Sequence, residues 1–597
     1  METRNRAIRK EAGGCFVVVV GKKASATGGI YVGHNEDNAG SLCMPHYYVP
    51  EGSHVLGELI SFEEGAARIP QVEKTYGYFW AETLRPWPGE SFGDSFVNEK
   101  GVCIVSNSCC RSREDDPEIT DGGIGYGLRR LVAERAQNAC HALALAVELV
   151  DRYGYLGSGR SYVFADADEA WVFQVVNGKN YAAQRVPDRE VAVNANHYSI
   201  HRINFEDTDN FIVSPNLVSR AIEKKWYKPA IKGDYSDFDF ALSYQHRDYY
   251  RTPLNVPRHA QALLMVAGER LADGEEIPFS VKPETKVTIP MLKEALSSHG
   301  TPIAGFEGSP HAIRGGIGSN GNNPQQHTTI CNDATKESLV VQLRKDPDFT
   351  TIWSTQGNPC TNAYVPWYLG AKAMPSMLYW KEPALAQWTH FRASAFDLSY
   401  HKRHLWSVSQ DVQILCELCY AEVFPFVAAS KKMAEELMSH EQEALEIKLM
   451  KKTRRSSLSR RGLLFSHNNR LYSRYLRQLR DIFQQFAPDR IQLLNPQIDL
   501  YDESACVSVM IKGDEHFDPA EIKKETLYLG IPLADRSLWS QAESLVQKEG
   551  AWLAVFKLNP WRSEGQVGVM PLWVTAQMEN GTHFASRDIV LFVSSKK

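Results

Sequence analysis

The segment that most constrains this chain is a short, uninterrupted apolar run directly behind a polar leader. Residues Phe16 to Val20 read FVVVV and follow Gly13-Gly14-Cys15. One aromatic and four β-branched residues in a row are typical of a strand that is buried on both faces. The run is shorter than the ~7–15 apolar residues of a signal peptide and the ~20 of a membrane helix. We therefore expect a central strand in a cytoplasmic protein without a membrane partner.

The order of the elements that follow predicts an α+β fold. Short apolar runs on either side of residues 98–101 predict a hairpin. Helical periodicity covers 127–136 and 138–153, and two further strand-like runs flank 166–169. Sheet, helices and sheet in that order favour segregated layers over a parallel βαβ series.

The composition changes twice along the 597 residues. Helix-forming residues dominate from 381 to about 485, and runs containing valine, tryptophan and proline follow to the end of the sequence. We predict a main domain over 15–380, a helical extension over 381–485 and a small β-rich region over 486–597. The sequence indicates no role for that last region.

Charge and motif content argue against several partners. The chain has 66 basic and 71 acidic residues, a net charge of −5, so nucleic acid is not an expected partner. We interpret the basic stretch at 451–461 as a solvated linker because aromatic residues do not interleave it. Eleven irregularly spaced cysteines favour reduced thiols. Metal-ligand spacings and phosphate loops are missing from the sequence, so we expect no metal and no other cofactor.

One local motif imitates a serine-hydrolase signature. Residues 89–93 read GESFG and fit the G-x-S-x-G pattern. A nucleophile elbow needs a strand before the motif, and the preceding Arg85-Pro86-Trp87-Pro88 does not favour one. We therefore predict a loop there.

Cys15 is the strongest candidate for a nucleophile. If the Gly14–Cys15 bond were cut, Cys15 would carry both a thiol and a free α-amine. An α-amine has an ordinary pKa of ~7.7–8.0 and can act as a general base near neutral pH. The thiolate is a strong nucleophile. The alternative is a buried, unreactive core thiol.

Several blocks around this cysteine resemble one family. The stretch GCFVVVVGKKASATG at 14–28 runs into GHNEDN at 33–38, and NEKG follows at 98–101. GIGY at 123–126 with LRRLVAERA at 128–136, VQLR at 341–344, GNPC at 357–360 and YVPWY at 364–368 continue the series. These blocks resemble PepD-like dipeptidases over roughly residues 15 to 480. That family belongs to the N-terminal-nucleophile hydrolases and is related to choloylglycine hydrolases and penicillin V acylases.

The resemblance implies an αββα sandwich and self-removal of residues 1–14, followed by amide hydrolysis through an acyl-cysteine. In it Cys15 matches the nucleophile and Asp37 matches the aspartate that holds the α-amine. Asn196 matches an oxyanion donor, and Asn107 is a weaker match for a second one. For either asparagine the alternative is a residue that satisfies local backbone groups.

The sequence departs from related hydrolases at one position. They often have arginine where this chain has His34, which lacks a permanent charge and a bidentate fork. We expect His34 to contact the substrate near the thiol. The arginine's role would pass to another residue, for which Arg258 and Arg251 are candidates.

The sequence thus predicts a cysteine-dependent dipeptidase with a small peptide as substrate. One alternative is an amidohydrolase acting on N-acyl amino acids or bile-salt-like amides, with the same fold and nucleophile. Another is a non-catalytic relative that serves as a scaffold. The oligomeric state stays open, a homo-oligomer included.

Overall fold

The computed structural model describes residues 14–38, 43–62, 64–85, 90–108, 111–252, 255–272, 274–300, 329–386, 400–450, 457–495, 497–499, 502, 504–531, 539–558 and 568–593. Residues 1–13 of the predicted leader lie outside these ranges, as do 451–456 of the predicted linker. Within the described ranges, no helix is long and apolar enough to span a membrane.

Within the described residues, the first part of the chain contributes nineteen strands, many of them short. They are β1 Phe16–Val20, β2 Tyr31–Asp37, β3 His46–Val49, β4 Gly52–Ser53, β5 Leu59–Ile60, β6 Ile69–Pro70, β7 Lys74–Thr75, β8 Tyr78–Arg85, β9 Glu90–Asn98, β10 Cys103–Ser108, β11 Arg160–Ala165, β12 Ala170–Val175, β13 Tyr181–Arg185, β14 Val191–Asn194, β15 Phe211–Val213, β16 Ser280–Val281, β17 Thr335–Gln342, β18 Thr351–Gln356 and β19 Val365–Tyr368. The α-helices are α1 Gly127–Arg135, α2 Ala139–Tyr153, α3 Leu217–Glu223, α4 Phe240–Tyr244, α5 Val256–Ala267, α6 Ile289–Leu296, α7 Pro383–Ala386, α8 Leu405–Leu418, α9 Tyr420–Met450 and α10 Ser457–Phe486.

Two antiparallel sheets form the centre of this part. The first has the order β16-β14-β1-β2-β17-β18-β19, and the second has the order β15-β13-β12-β11-β10-β9-β8-β3. The predicted hairpin is confirmed, because β9 and β10 pair across residues 98–101. The predicted pairing around 166–169 is confirmed as well, between β11 and β12.

The two sheets face each other and carry helices on their outer sides. Alternation along β1 points Val17 and Val19 into a core shared with the second sheet. Phe16, Val18 and Val20 point the other way, into a cluster with residues of α5 and α6. On the far side of the second sheet, α1 and α2 bury their apolar faces against β10 to β12. These helices and sheets are consistent with the predicted α+β class.

The remaining helices and strands follow in chain order. The helices α8, α9 and α10 bury apolar residues in the core that also contains β18 and β19. A third sheet then comprises β20 Ile491–Leu493, β21 Gln497–Asp499, β22 Cys506–Ile511, β23 Tyr528–Gly530, β24 Ser540–Lys548, β25 Ala551–Lys557, β26 Gly568–Gln577 and β27 His583–Val593. It has its own apolar cluster. The ion pair of Arg587 in β27 with Asp411 in α8, at 2.5 Å, joins it to the helices.

Two predictions need correction. Glu90 to Gly93 were expected in a loop, but they begin β9 and pair with β8, where Ser91 lies opposite Leu84. The strand forms because Ser91 and Phe92 continue the alternation of β9 across an irregularity in the pairing. Residues 457–461 of the predicted linker form the first turns of α10, where Arg460 pairs with Asp346 at 3.0 Å.

Candidate active site

Cys15 lies at the head of β1, between two neighbouring strands. Phe16 pairs with Asn35 of β2, so the register brings Cys15 beside Glu36. On the other side Val17 pairs with Asn194 of β14, and the same register continued by two residues brings Cys15 opposite Asn196. Cys15 is 2% exposed in this uncleaved chain.

The Cys15 thiol points into the space between the two sheets. Its sulfur, a ring nitrogen of His34 and a carboxylate oxygen of Glu36 all lie within 4.8 Å of one another. Asp94 of β9 approaches from the second sheet, with its Oδ2 3.9 Å from Cys15 Sγ. The thiol is therefore surrounded by polar side chains from both sheets.

His34 is a neutral partner in this cluster. Its Nδ1 lies 3.0 Å from Ser95 Oγ of β9. Burial, helped by the charges of Arg129 and Arg160, lowers the pKa of His34 to about 3. At neutral pH His34 therefore cannot replace the permanent charge of an arginine.

Positive charge comes instead from two arginines behind Asp94. Arg129 of α1 contacts Asp94 Oδ1 through Nη1, and Arg160 of β11 donates to the same oxygen at 2.9 Å. Ser106 Oγ also donates to that oxygen, at 2.6 Å. The ring of Tyr126 lies 4.4 Å from the guanidinium of Arg129 and 4.7 Å from that of Arg160. One carboxylate thus balances two buried guanidinium groups.

A second set of groups surrounds the Gly14–Cys15 peptide bond. Arg258 of α5 donates from Nη1 to the Gly14 carbonyl oxygen at 2.6 Å and lies 3.4 Å from Asp37 Oδ2. Its Nη2 donates to Asn196 Oδ1 at 2.6 Å. The structure therefore brings together four of the predicted site residues, Cys15, Asp37, Asn196 and Arg258, at one peptide bond.

Asp37 is held by neighbours that favour its charged form, although it is buried. Asn332 donates to its Oδ2 at 2.9 Å. Burial raises the pKa of Asp37 to about 6, and the charge of Arg258 opposes this rise. Asp37 is therefore mainly ionised at neutral pH and protonated in mild acid.

Gly14 lies too close to Asn196 for any side chain to fit. A Cβ on Gly14 would lie 1.8 Å from Asn196 Oδ1 and 2.9 Å from Nδ2. The amide of Asn196 consequently packs directly against the peptide unit whose carbonyl Arg258 binds. Only glycine is compatible with this packing.

Two other candidates are placed away from that peptide bond. Asn107 of β10 donates from Nδ2 to the carbonyls of Asn194, at 2.8 Å, and Ala195, at 3.4 Å, so it links the two sheets through backbone contacts. Arg251 contacts the carbonyl of Glu275 and does not take the missing arginine's position. Of the two arginine candidates, it is Arg258 that reaches Gly14.

Three groups of side chains bring potential metal ligands within 4.8 Å of one another. They are Cys15 with His34 and Glu36, His299 with Cys331 and Cys360, and His201 with Asp239 and Glu276. The first coincides with the nucleophile cluster, where a metal would compete with the chemistry of a free thiol.

Asp94, Arg129 and Arg160 are the site residues that sequence reasoning missed. Asp94 was hidden because the stretch before it was expected to be a loop. Arg129 is buried in the interior of α1, and a charged residue at a core position of an amphipathic helix is a signal that the pattern contained. Arg160 begins a strand, and only the packing of the two sheets places it near Cys15.

Known proteins are similar to this chain over most of the two-sheet region. The profile described as peptidase family C69 matches residues 14–392. A probable dipeptidase of Latilactobacillus sakei is 26% identical over 431 residues, which cover 66% of this chain and 85% of that protein. A probable dipeptidase of Salmonella dublin is 25% identical over 378 residues, 60% of this chain and 81% of that protein.

A solved structure is also similar. A mutant of the conjugated bile acid hydrolase from Clostridium perfringens aligns with 57% of this chain and 89% of its own, at 9% identity and a TM-score of 0.29. The profile match is the decisive comparison, since it extends over more than half of the sequence. This chain belongs to peptidase family C69.

Proposed function

We propose that this protein is a cysteine-dependent dipeptidase of the N-terminal-nucleophile type, with Cys15 as its nucleophile. One observation carries the proposal: Arg258 donates to the carbonyl oxygen of Gly14 at 2.6 Å, at the peptide bond that precedes the buried Cys15 thiol. A guanidinium bound to a carbonyl oxygen polarises that carbonyl and stabilises the oxyanion that forms on attack. Relatives named dipeptidases support the substrate class.

Self-cleavage would proceed at the Gly14–Cys15 bond. The Cys15 sulfur attacks the Gly14 carbonyl carbon, and the thiol proton passes to the departing Cys15 nitrogen. Arg258 holds the oxyanion while the C–N bond breaks and a thioester remains. The break frees the α-amine of Cys15, and water then hydrolyses the thioester, which releases the leader as a carboxylic acid and regenerates the Cys15 thiol.

Turnover would use the amine created by that cleavage. The α-amine takes the thiol proton, the sulfur attacks the carbonyl of a dipeptide, and the amine returns the proton to the leaving nitrogen. Water hydrolyses the acyl-cysteine to complete the cycle. Asp37 stabilises the ammonium form of the amine, and Arg258 with Asn196 provides positive charge and hydrogen bonding at the oxyanion.

Intact mass, N-terminal sequencing and alanyl-alanine hydrolysis test the proposal on the full chain. We expect wild-type protein to begin at Cys15 and to hydrolyse the dipeptide, and Cys15→Ala to retain its leader and to be inactive. Cys103→Ala is the matched control, since it removes another buried thiol, from β10 of the second sheet. Full peptidase activity in Cys15→Ala would contradict the mechanism.

A further inference from the structure

We propose that the side chains facing Cys15 from the two sheets bind both charged ends of a dipeptide. Glu36 would bind the α-ammonium group of the first residue, and Arg129 with Arg160 would bind the α-carboxylate of the second. This inference rests on the proposed function, and it assigns the residues that recognise each end of the substrate.

Glu36 carries an unused acceptor next to the thiol. It is 1% exposed, and within the described ranges its Oε2 accepts no hydrogen bond. One of its carboxylate oxygens lies within 4.8 Å of Cys15 Sγ. Burial raises the pKa of Glu36 to about 8 although the charge of Arg129 opposes this rise, and a bound ammonium group would stabilise the ionised carboxylate through an ion pair and a hydrogen bond.

Arg129, which contacts Asp94 Oδ1, carries unused donors. It is fully buried, and Nε and Nη2 make no hydrogen bond to any residue that the structure describes. Burial and the neighbouring charge of Arg160 lower the pKa of Arg129 to about 10, which leaves it charged at neutral pH. Arg129 and Arg160 both form ion pairs with Asp94, so their two charges exceed that of this partner and can attract a second carboxylate.

The order of these charges matches the order of groups in a dipeptide. The ammonium nitrogen lies about 2.5 Å from the attacked carbonyl carbon, and the carboxyl carbon lies about 3.8 Å away on the other side. Glu36 is in the thiol's immediate surroundings, so it can reach the nearer group. The guanidinium groups lie one hydrogen bond beyond Asp94, whose Oδ2 is 3.9 Å from the sulfur, and so suit the farther group.

The same arrangement disfavours the acylase alternative. An N-acyl amino acid with an apolar acyl group would place hydrocarbon against Glu36 and offer no donor to its buried Oε2. Discrimination against a substrate that lacks the ammonium group therefore follows from the buried acceptor itself. It does not require a steric clash.

Three substrates of nearly equal size distinguish binding of the ammonium group from binding of the carboxylate. They are alanyl-alanine, propionyl-alanine, which lacks only the amine, and alanyl-alanine amide, which lacks only the free carboxylate. With processed wild-type enzyme, we expect kcat/KM to fall at least tenfold for each of the two analogues. Equal kcat/KM for alanyl-alanine and either analogue would overturn the corresponding half of the inference.

Variants assign each preference to its residue. Glu36→Gln should narrow the difference between alanyl-alanine and propionyl-alanine, and Arg129→Lys should narrow the difference between alanyl-alanine and its amide. The controls Glu82→Gln and Arg130→Lys change another buried carboxylate and another buried arginine, and should preserve both differences. The inference is wrong if a folded Glu36→Gln or Arg129→Lys enzyme discriminates as the wild type does.

The wild-type comparison needs no variant, so a variant that fails to fold does not remove the test. Failure of the proposed function has a different signature. A chain that begins at Cys15 but hydrolyses none of the three substrates would refute the dipeptidase itself. Hydrolysis of propionyl-alanine and alanyl-alanine at equal rates would leave a cysteine amidohydrolase and refute only the inferred site.

Discussion

Gly14→Ala should slow removal of the leader without altering the mature enzyme. Residue 14 is the last residue of the leader, which the predicted cleavage removes, so every processed molecule would have the wild-type sequence. In the uncleaved chain, an added Cβ would lie 1.8 Å from Asn196 Oδ1 and 2.3 Å from its Cγ. Either the Asn196 amide or the Gly14 peptide unit must move.

The magnitude follows from the hydrogen bonds that this movement disturbs. Asn196 Oδ1 accepts from Arg258 Nη2 at 2.6 Å, and the Gly14 oxygen accepts from Nη1 of the same guanidinium at 2.6 Å. Loss of one hydrogen bond to a charged group costs about 1.5–3 kcal/mol. If that cost falls on the transition state of cleavage, processing slows about 10- to 150-fold.

Intact mass measured at intervals after synthesis follows the uncleaved and cleaved chains directly. Gly462→Ala is the control, because its added Cβ meets none of the described atoms within 4 Å and should leave the rate unchanged. Dipeptidase activity per cleaved molecule should be the same in all samples. Cleavage of Gly14→Ala at the wild-type rate would refute the packing of Asn196 against the scissile peptide.

Three further outcomes are expected. The kcat of the processed enzyme should fall as the pH is lowered through about 6, where Asp37 is protonated, and Asp37→Asn should remove most activity at neutral pH; a folded Asp37→Asn enzyme with the wild-type kcat would exclude Asp37. Burial raises the pKa of Glu36 from 4.5 to about 8, so between these pH values the folded chain holds a proton that the unfolded chain has released. The free energy of unfolding should therefore fall as the pH rises from 4.5 to about 8. In the Cys15→Ala background, urea titrations at several pH values should show a smaller fall for Glu36→Gln. Asp411→Asn leaves the largely buried Arg587 without its countercharge and should destabilise the contact of the third sheet with α8 by about 3–5 kcal/mol, measured as a lower Tm; an unchanged Tm would contradict a structural role for this pair.

The fold could be predicted from local patterns because those patterns are strong here. The β-branched run of β1 and the turn at 98–101 each specify their structure within a few residues. The start of β9 could not be predicted, because the preceding Arg85-Pro86-Trp87-Pro88 argues against a strand. Pairing with β8 decides the conformation of Glu90 to Gly93, and strand pairing depends on residues that are distant from one another in the sequence.

The same distinction applies to the residues of the candidate site. Cys15, Asp37 and Asn196 could be named because they lie in motifs at or beside the ends of strands. Their catalytic roles remain predictions, as do those of Asn107 and His34. Arg129 and Asp94 could not be named, since their proximity to Cys15 arises from the packing of α1 and the second sheet against β1.

Position 34 carries histidine in this chain, and in the proposed mechanism arginines from other elements provide the positive charge near the thiol. A neutral histidine with a pKa of about 3 leaves the first sheet without positive charge at the thiol. Arg258 provides such charge on the side of the Gly14 carbonyl, and Arg129 with Arg160 provides it between the sheets. In the proposed mechanism, this separation lets one guanidinium act on the carbonyl that is attacked and the other two bind the substrate's carboxylate. A single arginine at position 34 could not lie both at the Gly14 carbonyl and between the sheets. The histidine is therefore consistent with a site that binds both ends of a short peptide.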